Sequence, residues 1–352
     1  MYTGTAGSAF FLWRIALSDF YPEKEKKEAL EVSCEVIEAC TNGLTDNSYS
    51  VAFYTGPSGL QALRAVIYYS LGKEEEVLLS IKALFKASEA FNESGFEFEI
   101  LYGVAGYLQS LLFALKHLPK RFFDQKQLMT IVHQCFDLLC DNRMNSINFA
   151  FHHTRYFGAA HGMAGILLVM MHFPALVALP RYEAKIQNSL DLLMCQEKPP
   201  GAFICSMGNP EHVYQWCHGN PGIVATLLQA HKIYGQQKYL DTAKRATNEI
   251  WKMGLILKGF DLCHGILGNA YSFLQMYQHT QERKYLEMAY SFCCAQTDSR
   301  ILTAISTSND TTQPEEPLGL MEGLAGHGCF NLDIQQPDSA SFPAYYNDMV
   351  VL

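Results

Sequence analysis

The sequence has no cluster of Lys and Arg. Its 26 basic residues stand against 35 acidic ones, for a net charge of −9. A polyanion such as nucleic acid would find no basic surface to neutralise its phosphates. It also lacks an apolar run long enough for a bilayer. The best candidate, Ile166 to Leu179, is short and contains His172 and Pro174, so a buried core helix is expected there. No secretory signal opens the chain, because Met1-Tyr2-Thr3-Gly4 has neither a basic n-region nor an apolar h-region. A disulfide framework is missing too. The eleven cysteines are odd in number and irregular in spacing, and Cys34, Cys135 and Cys293 fall in apolar helical stretches. These absences predict reduced thiols, a cytoplasmic location, and partners that are small or peptidic.

What is present is a repeat. The chain has 352 residues, 49% of them hydrophobic, which is long for one ordinary compact domain. A Gly-x-x-Gly element recurs seven times, about fifty residues apart, with first glycines Gly4, Gly56, Gly103, Gly162, Gly219, Gly265 and Gly323. Each pair opens an apolar stretch such as Tyr107 to Leu115, the pattern of a helix buried on most faces. Between these stretches lie amphipathic segments: Lys26 to Ala39, Glu74 to Ala87, Asp124 to Leu139, Arg181 to Cys195, Lys238 to Trp251 and Glu282 to Cys294. Neither helix of such a pair can bury its apolar face alone. The expected architecture is therefore all-α, a single α/α toroid over residues 1–352 with inner helices wrapped by outer ones. Seven buried stretches against six amphipathic segments predict that a first outer helix is missing.

A closed ring brings equivalent repeat positions to one level. Immediately before the first glycines stand Thr3, Thr55, Tyr102, His161, His218, His264 and Glu322; one residue earlier stand Tyr2, Tyr54, Leu101, Ala160, Cys217, Cys263 and Met321. Two Cys-His pairs thus occupy neighbouring repeats, and thiolate with imidazole is a donor set for zinc. Small buried residues filling tight turns are the alternative for one such motif, and two in register favour the metal. Metal binding holds a thiol as thiolate at neutral pH, which makes a nucleophile of an incoming sulfur. Addition to an electron-poor alkene then needs an acid, and His161 occupies the column for it. Lys258 is a candidate contact for an anionic group. Glu322 could orient a ligand, act as a base or cap a helix. His152, His153 and His327 have no convincing partner spacing and are expected to be structural. The Glu74-Glu75-Glu76 run fits a helix N-terminus.

The stretches Phe157-Gly158-Ala159-Ala160-His161-Gly162-Met163-Ala164-Gly165, Trp216-Cys217-His218-Gly219-Asn220-Pro221-Gly222 and Leu262-Cys263-His264-Gly265 resemble the signatures of the lanthionine synthetase C-like proteins, eukaryotic branch. The resemblance covers essentially the whole chain. It implies one zinc ion held by Cys217, Cys263 and His264, with His218 beside it and His161 as the catalytic histidine. It further implies that glutathione, contacted by Lys258, adds to dehydroalanine or dehydrobutyrine residues of proteins or peptides. Departures qualify this. Glu99 stands where the cyclases carry an aspartate, and Val213 where they carry an arginine, which argues against peptide cyclisation. Thr312-Gln313-Pro314-Glu315 replaces an Arg-Thr-Pro-Asp-like stretch of the glutathione-binding members, so Thr312 and Glu315 are the expected but weakened glutathione contacts. A family N-terminal extension, through which peripheral plasma-membrane association is expected, does not precede Met1. Val213 and Thr312 keep open a second expectation, a zinc- and glutathione-binding scaffold or signalling protein without turnover. A sugar-active α/α barrel ranks last, because it needs facing carboxylates and leaves the Cys-His pairs unexplained.

Overall fold

The computed structural model describes residues 1–43, 50–92, 95–141, 145–311, 316–346 and 348–350. Helical hairpins succeed one another along the chain: α1 (Ala6–Leu17) with α2 (Glu23–Asn42), α3 (Pro57–Ser70) with α4 (Glu74–Lys86), and α5 (Val104–His117) with α6 (Gln125–Cys140). The fourth hairpin is α7 (Met163–Met170), the one-turn α8 (Pro174–Val177) and α9 (Pro180–Met194). Then follow α10 (Asn220–Tyr234) with α11 (Gln237–Met253), α12 (Ile266–Thr280) with α13 (Arg283–Cys294), α14 (Ser299–Thr307) and α15 (Leu324–Asp333). Helices α1, α3, α5, α7, α10, α12 and α15 each pack on the next, and α15 returns to α1. They form the expected inner ring, and the toroid is closed.

Burial separates the two rings. Every residue of α7 is buried, whereas α11 buries only Tyr239, Thr242, Ala243, Ala246, Thr247 and Ile250, one stripe at helical spacing. Local chemistry sets the ends. Asp124 caps α6 by accepting from the Gln127 amide at 2.9 Å, and Pro221 stands in the first turn of α10, where it sacrifices no helical hydrogen bond. The apolar stretch from Ile166 to Leu179 differs from the expected single helix. α7 stops at Met170, and Pro174 starts the separate turn of α8.

The glycine pairs owe their recurrence to a close approach. In six of the seven pairs a β-carbon on the second glycine would land on the carbonyl six residues earlier: at Gly268 that of Leu262, at Gly165 that of Ala159. Only glycine lets the inner helix start tight against the loop that carries the functional column. Gly268→Ala should therefore cost about 1–3 kcal/mol of stability through overpacking. Gly4→Ala, whose β-carbon would have nothing within 4 Å, should be near neutral. Denaturant unfolding of the two variants measures the difference.

Those loops also hydrogen-bond to one another around the ring. Tyr2 N donates to Tyr54 O (2.9 Å), Phe53 N to Gly106 O (3.0 Å) and Ile100 N to Ala160 O (3.3 Å). The series continues from Ala160 N to Cys217 O (2.9 Å), Cys217 N to Cys263 O (3.2 Å), Cys263 N to Met321 O (2.9 Å), and closes from Met321 N to Tyr2 O (2.9 Å). The column read from the sequence is thus a continuous belt of main chain.

Among the described residues, six outer helices accompany the seven inner ones, and none follows α15. After α15 the chain enters the bore instead. Tyr54 Oη donates to Pro343 O at 2.8 Å, and Phe342 stacks on Trp216 with centroids 5.2 Å apart. His172 Nε2 lies 2.8 Å from Tyr346 O, and Lys116 Nζ donates to Met349 O at 2.9 Å. A short antiparallel hairpin, β1 (Ile204–Ser206) and β2 (Asn209–His212), lies beside the segment at Arg155 to Phe157. Among the described residues no helix is long and apolar enough to cross a membrane.

Candidate metal centre and cleft

At the belt level a cleft of about 270 Å³ opens, lined by Tyr2, Leu101, Ala160, His161, Gln215, Cys217, His218, Lys258, Cys263, His264 and Glu322. Nearly all belong to the two repeat columns. Each lies on the tight loop before an inner helix, so these loops aim the side chains into one space.

One donor atom each from Cys217, Cys263 and His264 lies within 4.8 Å of the others. Both cysteines are buried and His264 is half-buried. Burial and the neighbouring Cys217 sulfur push the Cys263 thiol well above its ordinary value. A buried thiol beside a second sulfur resists ionisation, and a divalent cation at Cys263 would supply the charge that favours its thiolate. The donor set is one that zinc accepts, with three protein ligands leaving a fourth position open. Asp261 supports the third donor. Its Oδ1 accepts from the His264 amide at 2.7 Å, and its Oδ2 lies 3.6 Å from His264 Nε2, the carboxylate–imidazole pairing that orients metal-binding histidines.

His161 stands on the neighbouring wall. Its Nδ1 lies 2.9 Å from Glu99 Oε2, and Glu99, only 2% exposed, also accepts from the amides of Leu101 (2.8 Å) and Tyr102 (2.7 Å). The carboxylate is locked, so it fixes the ring and leaves Nε2 for the cleft. Phe151 covers one face of the imidazole, stacked at 4.0 Å and 3°. His218 lies between the two groups, 5.8 Å from His161 centroid to centroid. Burial, then the nearby His161 and Lys258, lower its value to about 4. That environment favours the neutral imidazole near pH 7. Lys258 Nζ donates to Gln215 Oε1 at 3.4 Å on the opposite rim, and Glu322 completes the wall.

The structure therefore gathers His161, Glu99, His218, Lys258, Glu322, Cys217, Cys263 and His264 around one space. Thr312 and Glu315 lie outside the described residues. His152 and His153 are exposed at a turn with positive φ (47° and 68°), and His327 packs edge-on to Phe260; none lines the cleft. Sequence reasoning did not single out Tyr2, Asp261, Gln215 or Phe151. Tyr2 shares a column with the cysteines and Asp261 precedes Cys263 by two residues, so both signals were available. Nothing in the sequence pointed to Phe151, which reaches His161 from a loop outside the repeat.

Residues 1–346 match the family model described as lanthionine synthetase C-like protein. The chain is 32% identical to the glutathione S-transferase LANCL1 of Danio rerio, over 84% of this chain and 74% of that protein. It is 30% identical to the LanC-like protein GCL1 of Arabidopsis thaliana, over 98% and 80% of the two chains. Its fold is similar to that of a solved nisin cyclase, with a TM-score of 0.71 at 15% identity covering 95% of this chain and 88% of that one. With its seven-repeat α/α toroid and the Cys-His and Gly-x-x-Gly loops that build the belt, the chain belongs to the lanthionine synthetase C-like family, on its eukaryotic side.

Proposed function

We propose that this protein adds a thiol, glutathione in the first instance, to dehydroalanine or dehydrobutyrine residues of peptides or proteins, with zinc held by Cys217, Cys263 and His264. One observation carries the reading: three metal-capable donors within 4.8 Å of one another share a cleft with a histidine anchored on a buried carboxylate. The name of the Danio rerio relative, a glutathione S-transferase, points to the same thiol.

Zinc would supply Lewis acidity that keeps a bound thiol deprotonated at neutral pH. The chain's own residues do the rest. Lys258 offers a cation to the carboxylates of glutathione, while Gln215 holds the amine against the rim. The sulfur forms a bond to the β-carbon of the alkene, and the π electrons move to the α-carbon and its carbonyl. His161 Nε2 delivers a proton to the α-carbon and is recharged from solvent, which has received the thiol proton, so the net product is the thioether with no atom lost. Glu99 stabilises the protonated imidazole and keeps it pointed inward. His218, held neutral, adds no second positive charge beside the metal donors.

A zinc- and glutathione-binding scaffold or signalling protein without turnover is the alternative, favoured by Val213, an apolar residue at the start of the turn that leads to Cys217. One experiment separates the two. Full-length protein is loaded with zinc, assayed for bound metal, and incubated with glutathione and a dehydroalanine peptide, with adduct followed by mass spectrometry. About one equivalent of zinc and adduct well above the protein-free rate are expected. Bound zinc with no rate enhancement would leave only the scaffold, and no bound zinc would end both readings.

A further inference from the structure

Tyr2 belongs to the first repeat, 261 residues from Cys263, yet its hydroxyl donates to Cys263 Sγ at 2.6 Å. The placement is built rather than incidental. Main-chain hydrogen bonds of the belt hold Tyr2 on both sides, from its own amide to Tyr54 O and from Met321 N to its carbonyl. Its ring meets Tyr54 edge-on at 6.5 Å and 82°, and the Tyr54 hydroxyl is itself tied to Pro343 O. A phenol positioned in this way is a hydrogen-bond donor to the sulfur.

The chemistry of the cleft gives that donor a task. Two thiolates and a neutral imidazole would balance a divalent zinc ion held there, and an incoming thiolate would make the set net negative. The incoming sulfur and both protein sulfurs would then be electron-rich next to an electrophilic alkene. If a protein sulfur attacked instead, the ligand would be alkylated and the site lost. An O–H bond to Cys263 Sγ withdraws electron density from that sulfur and steadies it as a ligand, as groups behind metal ligands commonly do.

Resting on the zinc reading above, we infer that Tyr2 is a positioning residue that lowers the nucleophilicity of Cys263, so that addition falls on the incoming thiol rather than on the protein. The test compares wild type with Tyr2→Phe, which removes only the hydroxyl, and with Tyr54→Phe, which removes a hydroxyl bonded elsewhere. Full-length proteins are loaded with Co²⁺, and the thiolate-to-cobalt charge-transfer band is recorded. Zinc affinity is measured by chelator competition, and alkylation of Cys263 by iodoacetamide in the zinc-loaded protein is mapped by peptide mass spectrometry. Tyr2→Phe should move the band to lower energy, weaken zinc binding about 10-fold or more, and accelerate Cys263 alkylation several-fold, with Tyr54→Phe like wild type. Metal-loaded Tyr2→Phe with an unchanged band and unchanged alkylation overturns the inference while the zinc reading stands. An equal shift in Tyr54→Phe also overturns it, by assigning the effect to ring packing. Failure of wild type to bind either metal overturns both.

Discussion

Cys263→Ala is expected to abolish metal binding and thiol addition together. This residue sits at the centre of the donor set, beside Cys217 and His264, with the Tyr2 hydroxyl on its sulfur. Zinc bound by sulfur- and nitrogen-rich protein sites is worth about 10–16 kcal/mol in favourable cases, and that energy depends on the full ligand set. With one sulfur gone, Cys217 and His264 remain as a two-ligand site, and bound zinc should fall from about one equivalent to less than about a tenth. Adduct formation should drop to the protein-free rate. The fold should persist, because alanine fills most of the volume of a small buried thiol and the belt bonds at this position are main chain. Metal analysis with circular dichroism measures all three. Cys195→Ala, which removes an exposed thiol after α9, should change none of them. Retention of a full equivalent of zinc by Cys263→Ala would remove the metal site as assigned.

His161→Ala should separate metal from chemistry. The imidazole is no part of the donor cluster, so zinc content should stay near one equivalent and glutathione should still bind. The rate of adduct formation should fall by about 10²–10⁴, the usual contribution of a positioned general acid. Glu99→Gln should fall in the same direction by a smaller factor. The amide can still accept from Leu101 N and Tyr102 N, but it no longer carries the charge that stabilises a protonated His161. Single-turnover rates with preloaded protein isolate this step from binding. If His161→Ala loses zinc in proportion to activity, the histidine serves the metal and not the proton transfer.

Much of this was legible before any coordinates. The glycine pairs gave the number of repeats, because each marks a helix start where a β-carbon would meet a carbonyl. The outer segments were found to within a few residues, since a one-sided apolar stripe is a local pattern. Lys238 to Trp251, for example, lies within α11 (Gln237–Met253). The single helix expected across Ile166 to Leu179 was wrong in detail, because apolar periodicity is blind to the stop that precedes Pro174. Helix α14, the β1–β2 hairpin and the course of the chain after α15 carried no repeat signal and were not anticipated.

By itself the sequence determined the closed all-α ring and the level at which Cys217, His218, Cys263, His264, His161 and Glu322 meet, because a repeat of fixed register turns chain position into height around the ring. Which side chains touch there was decided only by the tertiary structure. Ring closure brings Tyr2 onto Cys263, and the loop that carries Phe151 folds over His161. The turn over Glu99 to Tyr102 lets one carboxylate hold both the backbone and His161. Filling of the bore by Phe342 to Tyr346 and by Met349 is decided in the same way. That segment has no periodicity of its own, and its partners Tyr54, His172, Lys116 and Trp216 come from four different repeats. Periodicity fixes where a residue stands along its own unit, while contacts between units depend on how the ring closes, and no local pattern encodes that.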